Sequence, residues 1–319
     1  MLSRAADAIY WMNRYVERAE NVARFVEVNW HLMLDLPNSG QGQWGPLVTT
    51  TGDRETFYRN YEAATQESVI QFLAFDDRNP NSILSCLSRA RENARSIREI
   101  ISSEMWEQVN RFYHIVREGS LEVALESPHS FFTRIKVNSH LLYGITNATM
   151  SHNEAWQFGR LGRYLERADQ TSRVLDVKYF ILLPSVTDVG SPYDNIQWSA
   201  LLKSASALEM YRKRYGQITP DQVAEFLILD REFPRSIQFS LIEAERSLRR
   251  ISGSSDGTFT NPAEKELGKL RSDLGYYQIE DIVASGLHQF LDSLQARLIA
   301  VGGAIASTFL NLHTVDLKS

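Results

Sequence analysis

The stretch Arg14-Tyr15-Val16-Glu17-Arg18-Ala19-Glu20 returns 149 positions later as Arg163-Tyr164-Leu165-Glu166-Arg167-Ala168-Asp169. Both copies run on to an arginine, Arg24 and Arg173, and then to an acid-valine pair, Glu27-Val28 and Asp176-Val177. From Arg14 to Val28, seven of fifteen positions are identical in the second copy, and four of the seven are charged. Common ancestry explains why the copies match. It does not explain why these charges stayed matched while their neighbours drifted.

The repetition continues along the chain. Trp44-Gly45-Pro46-Leu47-Val48 pairs with Trp198-Ser199-Ala200-Leu201-Leu202, and Phe72-Leu73-Ala74-Phe75-Asp76 with Phe226-Leu227-Ile228-Leu229-Asp230. Ser82-Ile83 pairs with Ser236-Ile237, Ala90 with Ala244, and Arg95-Ser96-Ile97 with Arg249-Arg250-Ile251. A weaker match joins Phe131, Ile135, Gly144 and Thr149 to Phe290, Leu294, Gly303 and Thr308. The separation grows from 149 to 154 to 159, stepping between Pro37 and Pro46 (Pro184 and Pro192 in the second copy) and again near Gly253 to Pro262. Insertions settle in surface connections, so a duplication drifts in register there. The expectation is two helical repeats of about 150 residues, 1–150 and 151–319, related by a pseudo-twofold and merged into one bundle. That period is too long for a solenoid unit.

Within the copies the periodicity is helical. Trp11, Met12, Tyr15, Ala19, Val22 and Val26 recur at steps of three and four residues, one apolar stripe. Leu287, Leu291, Leu294, Leu298, Val301 and Ile305 form a bundle seam. Ser151-x-x-Glu154 reads as a capping box, and Thr219-Pro220, Asn79-Pro80 and Asn261-Pro262 as helix starts. No run alternates as a strand does, so the fold class is all-α.

Composition sets limits. At 319 residues with 43% hydrophobic content, the chain can bury a substantial core. A net charge of -5 disfavours nucleic acid as a partner. The single cysteine, Cys86, allows no internal disulfide and reads as a packed core thiol. Arg4 and Asp7 interrupt any leader-like apolar region. The longest apolar run, Leu298 to Ala306, is nine residues, short of a membrane span. A cytoplasmic protein with no membrane segment is expected.

On a helical wheel Glu17 and Arg24 lie opposite the apolar stripe, with Arg14, Glu20 and Asn13 beside them and Arg18 at the stripe's edge. Arg163, Glu166, Arg167 and Arg173 repeat this pattern. Three readings stand open. The charges form a solvated face laced with ion pairs. Or the two helices meet, with Glu17 and Arg18 against Arg167 and Glu166, in an inter-repeat network that fixes register. Or the arginines clamp a phosphate or carboxylate. Secondary candidates are Arg91, Arg95 and Arg98 on one helix face beside Glu92 and Asn93, Arg235, and Glu104, which with Glu107 reads as helix N-terminal charge rather than a Mg²⁺ pair.

Other signals carry nothing. Gly40-x-Gly42-x-x-Gly45 follows a helix and lacks the surrounding strands of a dinucleotide site. Glu126-x-x-His129 contains Pro128 and has no second copy, and the seven histidines show no pair at ligand spacing, so no metal is expected. No catalytic residue is legible.

Taken together, Tyr15-x-Glu17-Arg18-Ala19-Glu20-Asn21-x-Ala23-Arg24, Tyr164-Leu165-Glu166-Arg167-Ala168-Asp169-x-Thr171-Ser172-Arg173, Arg91-Glu92-Asn93-Ala94-Arg95 and Phe233-Pro234-Arg235-Ser236 resemble the bacterial alpha-E domain family, named for a helical domain with a Glu-Arg motif. The resemblance covers about residues 1 to 312. It implies a setting beside, or fused to, a circularly permuted ATP-grasp protein of the amidoligase type, with transglutaminase-like peptidases as further neighbours. The function it implies is that of an accessory subunit binding the ligase and its acidic or peptide substrate. No cofactor of its own is implied, with ATP and Mg²⁺ entering only through the partner. The alternative is an enzyme whose Glu/Arg site between the repeats acts on a peptide-like or phosphorylated small molecule.

Overall fold

In a computed structural model, residues 1–35, 44–181 and 192–310 are described, and among them every regular element is a helix. The order is α1 (Ser3–Asp35), α2 (Gly45–Thr50), α3 (Arg54–Asn60), α4 (Gln66–Ile70), α5 (Ile83–Ser96), α6 (Ser103–Arg117), α7 (Leu121–Glu126) and α8 (Pro128–Thr149). Then come α9 (Glu154–Ile181), α10 (Pro192–Ser204), α11 (Leu208–Tyr215), α12 (Pro220–Leu229), α13 (Ile237–Ser252), α14 (Pro262–Leu274), α15 (Ile279–Ser285) and α16 (Leu287–Ile305). Wider π-helical turns extend α4 over Gln71–Phe75 and α16 over Ala306–Leu310.

Starts are set by side-chain caps. Ser82 and Ser236 accept from the backbone N–H three residues on, opening α5 and α13 alike. Asn261 does the same for α14, with Pro262 at its first position. Two expected starts differ, and a third holds without its side-chain bond. Asn153, not Ser151, accepts from the Ala155 and Trp156 N–H groups, so α9 begins without the capping box. Asn79 accepts from the Asn81 N–H and donates to the Phe72 carbonyl, so Asn79-Pro80 is a turn that holds the end of the α4 extension. Thr219 does precede α12, but its hydroxyl makes no capping bond.

The long helices α1 and α9 lie at the centre. α1 packs on α5 and α8, with α6 bridging those two, and α9 packs on α13 and α16, with α14 bridging them. The two four-helix sets join where α1 meets α9, and α2 and α10 cross over, α2 onto α9 and α10 onto α1. Buried apolar side chains of both sets merge into one core. Close approach of α1 and α9 is made by missing side chains. A Cβ at Gly162 would stand 2.4 Å from the Tyr10 carbonyl oxygen, and one at Gly159 would stand 2.8 Å from the Asn13 amide nitrogen.

Because α1 is wrapped on every side, its polar residues are inside too: Glu17 and Glu20 are fully buried. α16 buries its whole leucine seam, as the spacing predicts. With its extension it forms a 24-residue helix with an 18-residue stretch of mean hydropathy 1.3, long and apolar enough to cross a membrane. Counting uninterrupted apolar residues missed this, because Arg297 and Ser307 end the run while apolar residues continue beyond both. Its packing on α9 and α14 is that of a bundle helix.

Candidate functional site

The centre of the molecule is a network of buried charges between α1 and α9. Glu166 receives Arg14 Nε at 2.8 Å, and Arg18 in a two-toothed grip, Nε at 2.6 Å and Nη2 at 3.0 Å. Across the same interface Arg167 grips Glu17, Nε at 2.8 Å and Nη2 at 2.9 Å. So Glu17 and Arg18 of one helix meet Arg167 and Glu166 of the other, acid to base in both directions. The planar guanidinium fork matches a carboxylate in this way, and a lysine could not.

Further partners close the Glu17 side. The Tyr143 hydroxyl donates to Glu17 at 2.9 Å, and Arg235 Nη1 donates to Glu17 at 3.3 Å and to Asn21 at 3.1 Å. Glu20 takes Arg235, Arg24 at 2.5 Å, Ser139 at 2.9 Å and His140 at 3.1 Å. The far nitrogen of Arg24 reaches the Ser206 hydroxyl. On the other side, Arg18 Nη1 donates to Asn81 at 2.6 Å, Asn81 donates to Asp53 at 2.9 Å, and Gln170 donates to Glu166 at 3.1 Å.

The electrostatics follow from this packing. Burial raises the Glu166 carboxyl, but Arg18 and Arg14 outweigh it and hold it down at about 2. Burial opposes ionisation of Glu17 as well, and Arg167 and Arg235 overcome it. Glu20 lies well below the usual range, Arg235, His140 and Arg24 overriding its burial. Burial, then the charges of Glu17 and Glu20, push the Tyr143 phenol well above 10, so it stays a donor. These three glutamates are therefore ionised acceptors at neutral pH, unable to exchange a proton there.

Not every candidate joins. Arg163 stands over the Tyr143 and Tyr164 rings, 4.6 and 4.9 Å from their centroids, and its buried Nε has no hydrogen-bond partner. Arg173 binds Asp169 at 2.9 Å, on the rim of the network. Arg91, Glu92, Asn93 and Arg95 sit on α5, a different surface, but the helix ends at Ser96, so Arg98 falls in the turn that follows and not on the same helix face. There Arg91 binds Asn110 and Glu92, Glu92 binds Arg95, and Arg91 and Arg98 lie over Trp106. Glu104 is exposed in the first turn of α6. Arg235, a secondary candidate by sequence, is central.

Sequence reasoning left Glu20, Ser139, His140 and Tyr143 out of the candidate set. The last three come from α8, and no local pattern announces that α8 lies on α1. The fold also gathers groups that spacing kept apart. His129 lies 2.9 Å from Glu27 and 3.4 Å from His31, while His288 lies 2.6 Å from Asp176 and 3.5 Å from Asp292. Lys136 already sits on Glu27 and supplies the positive charge a cation would bring. Gly40 and Gly42 lie outside the described residues.

The chain is similar to known proteins along nearly its whole length. A family model for a predicted alpha-helical domain with a conserved ER motif matches residues 1–310. An uncharacterized protein of Mycobacterium bovis and two of Mycobacterium tuberculosis strains are each 22% identical over 97% of this chain. The chain spans only 37% of the length of these relatives. No solved structure matches.

Proposed function

The chain belongs to the Alpha-E family, and from that membership we propose that it is a helical accessory module, not itself a catalyst, that serves a cytoplasmic ATP-grasp amidoligase. The single observation that carries this reading is the state of the motif. Glu17 and Glu166 are fully buried and saturated by arginine. A general acid or base needs a carboxyl that titrates near the working pH and reaches substrate. These do neither, so the Glu-Arg motif serves as an internal brace and the work falls to other surfaces. The alternative, an enzyme using these glutamates, lacks that support.

The brace makes sense if the chain is a duplication, residues 1–150 and 151–319, whose halves need one another. The described helices run in matching order, α1 to α8 and α9 to α16, with α5 and α13 capped by equivalent serines. A buried ionic network is a poor source of stability but a good device for register, because any other alignment strands a charge. The longer relatives accommodate this helical unit within a chain that continues well beyond it, which suits a module that works next to another domain. The ATP-grasp partner itself rests on the family resemblance, and ATP and Mg²⁺ would enter with it.

The test is co-expression with a circularly permuted ATP-grasp protein of the amidoligase type from the same genome, followed by size-exclusion chromatography. Co-elution at micromolar concentration is expected. Separate elution would overturn the accessory reading.

A further inference from the structure

The two sides of the Glu-Arg network are not equally filled. On the Glu17 side, α8 delivers Tyr143, Ser139 and His140 and closes the space. On the Glu166 side, α16 passes with Leu298, Ile299 and Gly302, and none of these reaches the charges. If the halves are matched at the 159-residue separation, Gly302 stands where Tyr143 stands. What remains is a cavity of about 330 Å³. That is large enough for a small organic molecule.

One wall is charged: Arg14, Arg18 and Arg173, with Asp169 among them. Arg18 is committed to Glu166 and Asn81. Arg14 uses Nε on Glu166 and Nη1 on the Tyr10 hydroxyl, and Arg173 uses Nε on Asp169. Among the described residues, Arg14 Nη2 and both terminal nitrogens of Arg173 make no hydrogen bond. The rest of the lining is largely apolar and includes Leu165, Leu298 and Leu310. A second cavity of about 170 Å³ shares Arg18, Asp169 and Arg173 and extends toward Asn81.

Charge selects the ligand. Arg14, Arg18 and Arg173 face Glu166 and Asp169, and Asp53 draws on Arg18 and Arg173 as well, so at most one positive charge is left over. One negative charge is the most the site can neutralise, whereas a phosphate dianion would leave an uncompensated charge among largely buried groups. The leucine wall asks for hydrocarbon on the same molecule. Asp53, beyond Asn81, stands behind the smaller cavity, and burial pushes its carboxyl above the usual range.

We propose that this cavity binds a monocarboxylate with an apolar body, its carboxylate on Arg14 and Arg173 and its hydrocarbon on the α16 leucines. The site is independent of any ligase partner. Two sources share that chemistry, a free aliphatic acid and the C-terminal end of an apolar peptide.

Isothermal titration of the full chain at neutral pH tests it, with octanoate, N-acetyl-leucyl-leucine, their amides and inorganic phosphate as probes. Saturable binding of at least one acid is expected, with its amide at least tenfold weaker and phosphate not competing. Which acid binds identifies the source. Arg173→Gln should weaken binding about tenfold. Gly302→Tyr should abolish it while the melting temperature holds or rises, because a Cβ there meets only Arg14 Nη1 at 3.9 Å and its side chain grows into the cavity. Amides binding as well as acids, no acid binding at millimolar concentration, or affinity unmoved by Arg173→Gln would each overturn the proposal. Arg173 touches only the rim, so that variant keeps the test valid even if Gly302→Tyr does not fold.

Discussion

Replacing Glu166 by Gln removes one negative charge and nothing else of consequence in shape. Arg14 and Arg18 are left facing a neutral amide, 16% and 18% exposed at the side chain, with no other carboxylate among the described residues bound to either. Arginine cannot escape by losing its proton. Arg18 keeps Asn81 and Arg14 keeps the Tyr10 hydroxyl, but these partners are neutral, and only the more distant Asp169 and Asp53 offset part of the Arg18 charge. Breaking one partner of a buried ion pair costs about 3–5 kcal/mol. For a chain of 319 residues, that corresponds to a fall of about 4–8 °C in melting temperature, taking the usual unfolding entropy per residue. Equilibrium unfolding in guanidinium chloride should show a lower midpoint at unchanged slope. Glu92→Gln is the matched control, because Glu92 is 47% exposed and its pair with Arg95 is solvated. Its effect should stay under about 0.5 kcal/mol. If Glu166→Gln costs less than about 1 kcal/mol, the charges are not where this reasoning puts them.

Three other outcomes follow from the same interior. Since Glu166 is held at about 2 against an ordinary 4.5, its contribution is full above 4.5 and is lost as pH falls from there toward 2. That loss is on the order of 3 kcal/mol, and unfolding free energies at about pH 6 and about pH 3 should differ less in Glu166→Gln than in the parent chain; an identical difference would exclude Glu166 as its source. Gly162→Ala gains about 1 kcal/mol in helix propensity, yet its Cβ would press on the Tyr10 carbonyl. A net destabilisation of about 1–3 kcal/mol is expected by thermal or chemical unfolding, and a stabilised variant would mean that α1 and α9 do not approach so closely. Cys86 is fully buried and its thiol is pushed up to about 12 by burial. At mildly alkaline pH it should resist an aromatic disulfide reagent until the chain unfolds, and fast labelling of the folded protein would contradict that placement.

How far the sequence could be read depends on what each residue was being asked. The leucine seam of α16 and the Asn261-Pro262 start were legible, because each answers to local spacing and local hydrogen bonding. The start of α9 was not, because Asn153 took the cap two residues after Ser151. On a wheel, Glu17 and Arg24 lie opposite the apolar stripe, a pattern that reads equally as a wet face or a buried one. Only the packing of α9 against α1 distinguishes these, and the wheel holds no information about neighbours. Tyr143, His140 and Ser139 show the same limit, being an ordinary stretch of α8 until α8 is laid on Glu17 and Glu20. The empty counterpart beside Gly302 is visible only by comparing the two sides in space.

The account rests on Glu17 and Arg167 joining the two central helices across the interior. A double-mutant cycle with Glu17→Gln, Arg167→Met and both together, read by guanidinium unfolding, measures that junction directly. A coupling free energy of about 2 kcal/mol or more is predicted, within the range of buried charged contacts. Additive effects, with coupling under about 0.5 kcal/mol, would show that the two side chains do not act on each other and would contradict the brace.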